Sequence, residues 1–246
     1  MKVLALDSSG LTATVAIVED TQVLAEYTVN YKKTHSQTLL PMLDEIVRMT
    51  EEDISTVDAI AIAGGPGSFT GLRIGAATAK GLGLALDKPV VHIPTLEGLA
   101  YNLHGRKEVI VPIMDARRDQ VYTGLYIFDA QNELCQVLEQ SAVSIQALIE
   151  KVNEYGKEVV FLGDAVPIQK EFIEEHIMVP FSFAPPHLSR QRAAAVAALG
   201  IRYYKQGKIE TAKEHKPDYL RVSQAERERA ERLKLNTQEG IEIENQ

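Results

Sequence analysis

Three segments of this sequence carry residue types able to do chemistry. The first is Asp7-Ser8-Ser9-Gly10. At a strand end such a turn offers backbone amides and small hydroxyls to a phosphate, and its aspartate can hold a metal or a water. An Asp-Ser pair also closes an ordinary tight hairpin, and four residues alone favour that simpler role. The second segment, GGPGSFTGLRIG, runs from Gly64 to Gly75. Gly64, Gly65 and Gly67 permit backbone geometries closed to other residues, and Ser68 or Thr70 can cap a following helix. A glycine-rich turn feeding a helix N-terminus is a candidate anion site. It is not a Walker loop, since no Gly-Lys-Ser/Thr follows, and its glycines miss the G-x-G-x-x-G spacing. The third is the turn Asp115-Ala116-Arg117-Arg118-Asp119, where Arg117 and Arg118 are candidates to grip phosphate or RNA. Arginines in a turn are more commonly solvated.

Nucleophile and metal chemistry find less support. Cys135 is the only cysteine; it has polar flanks and no evident base, so packing is its expected role. No G-x-S-x-G elbow occurs. His35, His92, His104, His176, His187 and His215 are isolated in sequence. No two lie four apart, the spacing that would let them share a helix face and one metal. The sequence therefore predicts no catalytic residue, no metal and no cofactor of its own, and leaves ATP or ADP binding open.

The elements that must position these residues can be read from periodicity. Val3 to Leu6, Thr12 to Val18 and Val23 to Val29 read as strands. A helix is expected from His35 to about Met49, capped by Ser36, with Pro41 early enough to cost little. Leu39, Leu43, Ile46 and Val47 share one side, widened by Leu40, Met42 and Met49. That arc either sinks wholly into its own lobe or leaves an edge for a partner. After the strand Asp58 to Ala63, the glycine-rich loop opens a helix to about Leu86. Gly71, Gly75, Ala79 and Gly83 form a ridge of small residues on it. A helical glycine costs about 1 kcal/mol relative to alanine, so something approaches this ridge closely: the chain's own sheet or helix, or a partner helix, with equal weight. The order strand, helix, strand, loop, helix points to an α/β fold. Strands then follow at Val90 to Ile93, Val109 to Met114, Val121 to Phe128, Leu134 to Leu138 and Val159 to Leu162, with a helix from Ser144 to about Glu154. Another helix is capped by Ser189. The expected division is a lobe of residues 1–106, with helix 189–206 packing back on it, a second lobe of 107–222, and a charged tail of 223–246. No internal repeat is visible.

The chain has 246 residues, 45% of them hydrophobic and 24% charged, and a net charge of -8. That length buries a real core in one large domain or two lobes. The acidic balance gives no global attraction to RNA or anionic membrane, so any contact with nucleic acid needs a local basic patch or a partner. With no tryptophan and few aromatics, a base-stacking platform is disfavoured. The opening MKVLALDSSG is too short in apolar residues for a signal-peptide core, and no run approaches a membrane span. The chain is expected to be cytoplasmic, with no membrane partner.

The pieces DSSG, HSQTLLP, GGPGSFTGLRIG, KGLGLALDKPVV, DARRDQVYTGLY and YLRVSQAE together resemble the TsaB family. They cover both expected lobes, and GPGSFTGLRIG and DARR…VY are the most specific of them. The resemblance implies an actin-like ATPase (ribonuclease H-like) fold, with two lobes of mixed β-sheet flanked by helices. It implies a non-catalytic scaffold that pairs with its paralogue TsaD and recruits the ATPase TsaE. That assembly transfers a threonylcarbamoyl group to the adenosine beside the tRNA anticodon. Alone, the chain is a candidate homodimer. The implied dimer face comprises the helices His35 to Met49 and Thr70 to Leu86, with His35, Leu39, Leu40, Met42, Gly71, Gly75, Ala79 and Gly83 as candidate contacts. TsaD-type enzymes carry a His-x-Glu-Gly-His metal motif where this chain has Thr95-Leu96-Glu97-Gly98-Leu99; neither Thr95 nor Leu99 can replace a histidine. The rival reading is an independent ATP-dependent small-molecule kinase of the same superfamily, using Asp7 and the second-lobe turns. A metalloprotease is disfavoured by the missing histidine pair.

Overall fold

The structure, a computed structural model, describes residues 1–31 and 34–221. Val222 and the charged run from Glu226 to Lys234 lie outside them. Strands β1 (Lys2–Asp7), β2 (Thr12–Glu19), β3 (Gln22–Asn30), β4 (Ala59–Gly65) and β5 (Val90–Pro94) form one sheet. Its order is β3-β2-β1-β4-β5, with β1–β2 and β2–β3 antiparallel and β1–β4 and β4–β5 parallel. A second sheet is built from β6 (Val109–Asp115), β7 (Gln120–Phe128), β8 (Leu134–Ser144), β9 (Val159–Leu162) and β10 (Phe181–Phe183) in the order β10-β9-β6-β7-β8. Its antiparallel and parallel pairs fall in the same places. The two sheets thus share one topology. The absence of a sequence repeat concealed this duplication.

Strand alternation assigns the faces. In β1, Leu4 and Leu6 point to α1 (His35–Thr50) and α2 (Phe69–Leu86), while Val3 and Ala5 point to α6 (Ala193–Lys205). The α6 face is lined by Ala5, Ala16, Ala59, Ala61 and Ala63. These small residues let the helix come so close that a Cβ on its Gly200 would sit 2.7 Å from that of Ala61. The second sheet carries α4 (Ile145–Tyr155) and α5 (Val166–His176) on one face and α3 (Thr95–Tyr101) on the other. Among the described residues no helix is long and apolar enough to cross a membrane.

Several local expectations need correction. Thr34, not Ser36, occupies the N-cap of α1, and Pro41 falls inside the helix rather than in its first turn. Pro41 is exposed, so the carbonyl it leaves without a donor lies near solvent. Arg192 rather than Ser189 precedes α6; the Ser189 hydroxyl instead donates to the Pro186 carbonyl. α5 and β10 gave no sequence signal. Only Ile173 of α5 is fully buried, too few apolar anchors to show a helical period.

Candidate functional site

A cleft of about 860 Å³ opens between the lobes, walled by the β1–β2 turn, the start of α2, the end of β6 and the segment from Asp218 to Arg221. Of the turn Asp7–Gly10, only Ser9 and Gly10 reach it. Asp7 and Ser8 are buried and engaged elsewhere. The Asp7 carboxylate accepts from the Ser9 amide at 2.8 Å and the Ser9 hydroxyl at 2.6 Å. Ser8 Oγ donates to the Gly71 carbonyl at 2.9 Å, and the Ser68 amide donates to the Ser9 carbonyl at 2.6 Å. The turn is thereby bolted to the N-terminus of α2, where Ser68 accepts from the Gly71 amide. Phe69 and Thr70 of that first turn face the cleft, an orientation suited to an anion.

Burial pushes the Asp7 carboxyl up to about 6, Asp164 adding to the shift and the two Ser9 bonds opposing it. A carboxyl whose folded pKa exceeds its unfolded value of 3.8 destabilises the fold once ionised. Its penalty is absent below the unfolded value and grows as pH rises to the folded one. With about 1.4 kcal/mol per unit, the penalty near neutrality is about 2–3 kcal/mol. Asp7→Asn keeps an acceptor for Ser9 and removes that charge. The variant should therefore be more stable than the parent at pH 7, with the gap closing as pH falls from about 6 towards 4. Chemical denaturation of both proteins across that range checks this; a gap independent of pH would contradict it.

The second lobe supplies cations to the cleft. Arg117, Arg118 and Asp119 all have positive φ (65°, 54° and 56°), an unusual run for non-glycine residues. The Asp115 carboxylate steadies this turn, accepting from the Arg117 amide at 2.7 Å and pairing with its guanidinium at 3.2 Å. Arg118 is exposed. Sequence reasoning missed two further arginines of the cleft. Arg190 donates to the Gly163 carbonyl, and Arg221 donates to the carbonyls of Ala116 and Arg117. Carbonyls orient these guanidinium groups without neutralising them. Asp164, buried near Arg190, accepts from the Asp115 amide at 3.0 Å, and desolvation raises its pKa. Arg221 and Tyr219 belong to the YLRVSQAE segment, whose recognisable sequence was the available signal; the Tyr219 ring packs on Phe69 at 4.5 Å.

The glycine-rich loop is bound to its own chain. The Gly64 carbonyl accepts from the Asp218 amide at 2.7 Å. Gly65, at φ +132°, donates from its amide to Thr95 Oγ1 at 3.0 Å. Gly67 and Ser68 border the cleft. The ridge on α2 requires a correction as a partner contact. A Cβ at Gly71 would lie 2.0 Å from the Ser8 carbonyl oxygen. One at Gly75 would lie 2.6 Å from Ser8 Oγ, and one at Gly83 2.8 Å from the Ala212 Cβ. Ala79 is fully buried. The close approach is to this chain's own turn, sheet and C-terminal segment. Leu39 and Met42 of α1 likewise lie in the core, and His35 Nε2 donates to the Gly10 carbonyl at 2.8 Å at the rim of the cleft. Leu40, by contrast, is 54% exposed.

The counterpart of the TsaD metal motif is closed. Thr95 is fully buried and holds the Gly65 amide, and Leu99 packs with Ile110, Tyr126 and Leu162 in the second-lobe core. The histidines, isolated in sequence, are not all isolated in space: the rings of His92 and His215 lie 5.7 Å apart. Cys135 is half-buried in β8, within sulfur hydrogen-bond range of Asp129 and the Glu133 carbonyl.

Two lobes of one topology closing on a cleft, with the turn of the first hairpin and a helix N-terminus on its floor, define an actin-like ATPase fold of the ribonuclease H-like kind. The family model described as "TsaD: tRNA N6-adenosine threonylcarbamoyltransferase" matches residues 22–229. The chain is 35% identical to the Bacillus subtilis tRNA threonylcarbamoyladenosine biosynthesis protein TsaB, over 92% of this chain and 96% of that one. It is 28% identical to the Escherichia coli protein of the same name, over 90% and 95%. Among solved structures, a Pseudomonas aeruginosa protein described as similar to peptidase YEAZ superposes with a TM-score of 0.77. It is 26% identical, covering 89% of this chain and 99% of that one. The chain belongs to the TsaB family.

Proposed function

We propose that this chain serves tRNA threonylcarbamoyladenosine biosynthesis as a non-catalytic scaffold and activator, pairing with TsaD and supporting TsaE-dependent transfer in the cytoplasm. The observation that carries this reading is the closed Thr95–Leu99 segment. The positions where a TsaD-type enzyme holds its metal are here spent on a backbone hydrogen bond and a core contact. The rival kinase reading needs the Asp7 carboxylate to reach the cleft, whereas it is buried and accepts from the Ser9 amide and hydroxyl.

The pairing face belongs to the outer sides of α1 and α2, which lie side by side on the first sheet. Leu40 and Leu84 are 54% and 55% exposed there. Gly81 opens onto empty space, and Ala77 and Ala85 are exposed beside it. Small residues flanked by exposed leucines suit a partner helix at short range. The cleft, with four arginines and the start of α2, suits an oxyanion such as a nucleotide or RNA phosphate.

Reconstitution tests the assignment. The full set of this chain, TsaD, TsaE, the synthase that makes the threonylcarbamoyl adenylate, and tRNA should yield modified tRNA. Omitting TsaD should abolish it. Modified tRNA formed by this chain and the synthase without TsaD would overturn the non-catalytic reading.

A further inference from the structure

On the edge strand of the first sheet, behind the cleft wall that begins at Asp218, three residues distant in sequence converge. His92 stands on β5, and the segment after α6 pairs with that strand through reciprocal 2.9 Å hydrogen bonds between the backbones of Val90 and Glu210. The same segment brings in Glu210, His215 and Asp218. One donor atom from each of His92, Glu210 and His215 lies within 4.8 Å of the other two. His215 is 1% exposed. Its Nδ1 meets Glu210 Oε1 at 2.6 Å, and its Nε2 is buried with no hydrogen-bond partner. His92 Nε2 is also buried and makes no hydrogen bond; its nearest acid is Asp218, with Oδ2 at 3.4 Å. Gly64 leaves room for this ring, since a Cβ there would lie 2.1 Å from the His92 Cε1.

We propose that His92, His215 and Glu210, with Asp218 beside them, form a binding site for a divalent ion of the zinc class. Two imidazoles and a carboxylate are the ligand set that zinc and its neighbours prefer. Two adjacent imidazole nitrogens buried without partners lack the bonds that such atoms ordinarily find. Bonds of about 2.0–2.1 Å in a tetrahedron hold ligand atoms roughly 3.3 Å apart, which the His92–Asp218 pair already matches. His215 Nδ1 and Glu210 Oε1, 2.6 Å apart, would part slightly to share the ion, and His92 would close on them from within 4.8 Å. Burial lowers the His92 pKa, which favours the neutral ligand form. The ion here is structural. It would fasten residues 210–218 to β5, and that segment continues into Tyr219 and Arg221 of the cleft wall. It is separate from the Thr95–Leu99 segment, where no metal is expected, and it stands apart from the scaffold reading.

Chelator-stripped full-length protein dialysed against zinc chloride tests the site by elemental analysis, with a cobalt(II) titration reporting tetrahedral coordination through its visible absorption. One ion per chain is expected, with a thermal midpoint several degrees higher when loaded. His92→Gln and Glu210→Gln should each weaken binding at least tenfold while their metal-free thermal midpoints stay near that of the parent. Should one of the two fail to fold, the other decides. Absence of saturable binding would overturn the proposal, leaving the cluster a metal-free histidine strap. Binding that survives both substitutions unchanged would overturn it equally.

Discussion

The Gly75→Leu protein is expected to melt roughly 6–12 °C below the parent, a loss of about 3 kcal/mol for a chain of this size. The first added carbon would already stand 2.6 Å from Ser8 Oγ and 3.1 Å from Ile62 Cδ1, and three more would follow it into a filled core. Ser8 has little freedom to retreat. Its hydroxyl is held by the Gly71 carbonyl, its neighbour Ser9 by the Ser68 amide, and β1 is the central strand of its sheet. Leucine is a better helix former than glycine by nearly 1 kcal/mol, so the net loss measures strain after that gain is deducted. Gly81→Leu is the matched control, since its side chain enters open space and only the helical gain remains. Thermal unfolding of both variants distinguishes them. A Gly75→Leu protein as stable as the parent would mean that the ridge does not pack inward.

That pair of glycines also shows what the sequence could and could not convey. Four small residues at every fourth position announced a close approach correctly, because glycine in a helix is costly and must be compensated. Spacing names the face of a helix but not what lies against it. The neighbour at Gly71 and Gly75 is Ser8, more than sixty positions away, and at Gly83 it is Ala212. The α/β class was legible from the order of elements, helped by strands such as Val3 to Leu6 and Ala59 to Ala63, which are buried on both faces and read as unbroken apolar runs. The polar helix α5 left no such trace. The type of Asp7 and its place at a strand end left a phosphate-handling acid open beside the favoured hairpin turn. Only the fold shows its oxygens turned back onto Ser9. The cleft arginine Arg190 comes from a segment with no pattern of its own, and Arg221 from one recognisable only as a family segment; the meeting of the lobes gives both a site. His92 and His215 fail the four-residue spacing rule, yet a backbone pairing between Val90 and Glu210 brings them together.

With the inner ridge excluded, the outer faces of α1 and α2 carry the remaining expectation for assembly. Leu40→Glu and Leu84→Glu place a charge on side chains that are 54% and 55% exposed. Surface changes of this kind normally shift stability by less than about 0.5 kcal/mol, so both variants should melt with the parent. Affinity for TsaD should respond differently. An apolar anchor at the centre of an interface is worth about 2 kcal/mol or more. Each substitution should thus weaken binding by roughly thirtyfold, at about 1.4 kcal/mol per tenfold. Gly81→Leu should do the same by steric means, holding a partner helix away from α2 while leaving the monomer intact. Calorimetric titration of TsaD with the three variants separates a shared face from a coincidental one. Loss with Leu84→Glu and Gly81→Leu but not Leu40→Glu would confine the contact to α2. Parental affinity in all three would remove α1 and α2 from the interface, because a helix pair in contact cannot absorb two buried charges and a bulky side chain without a measurable cost.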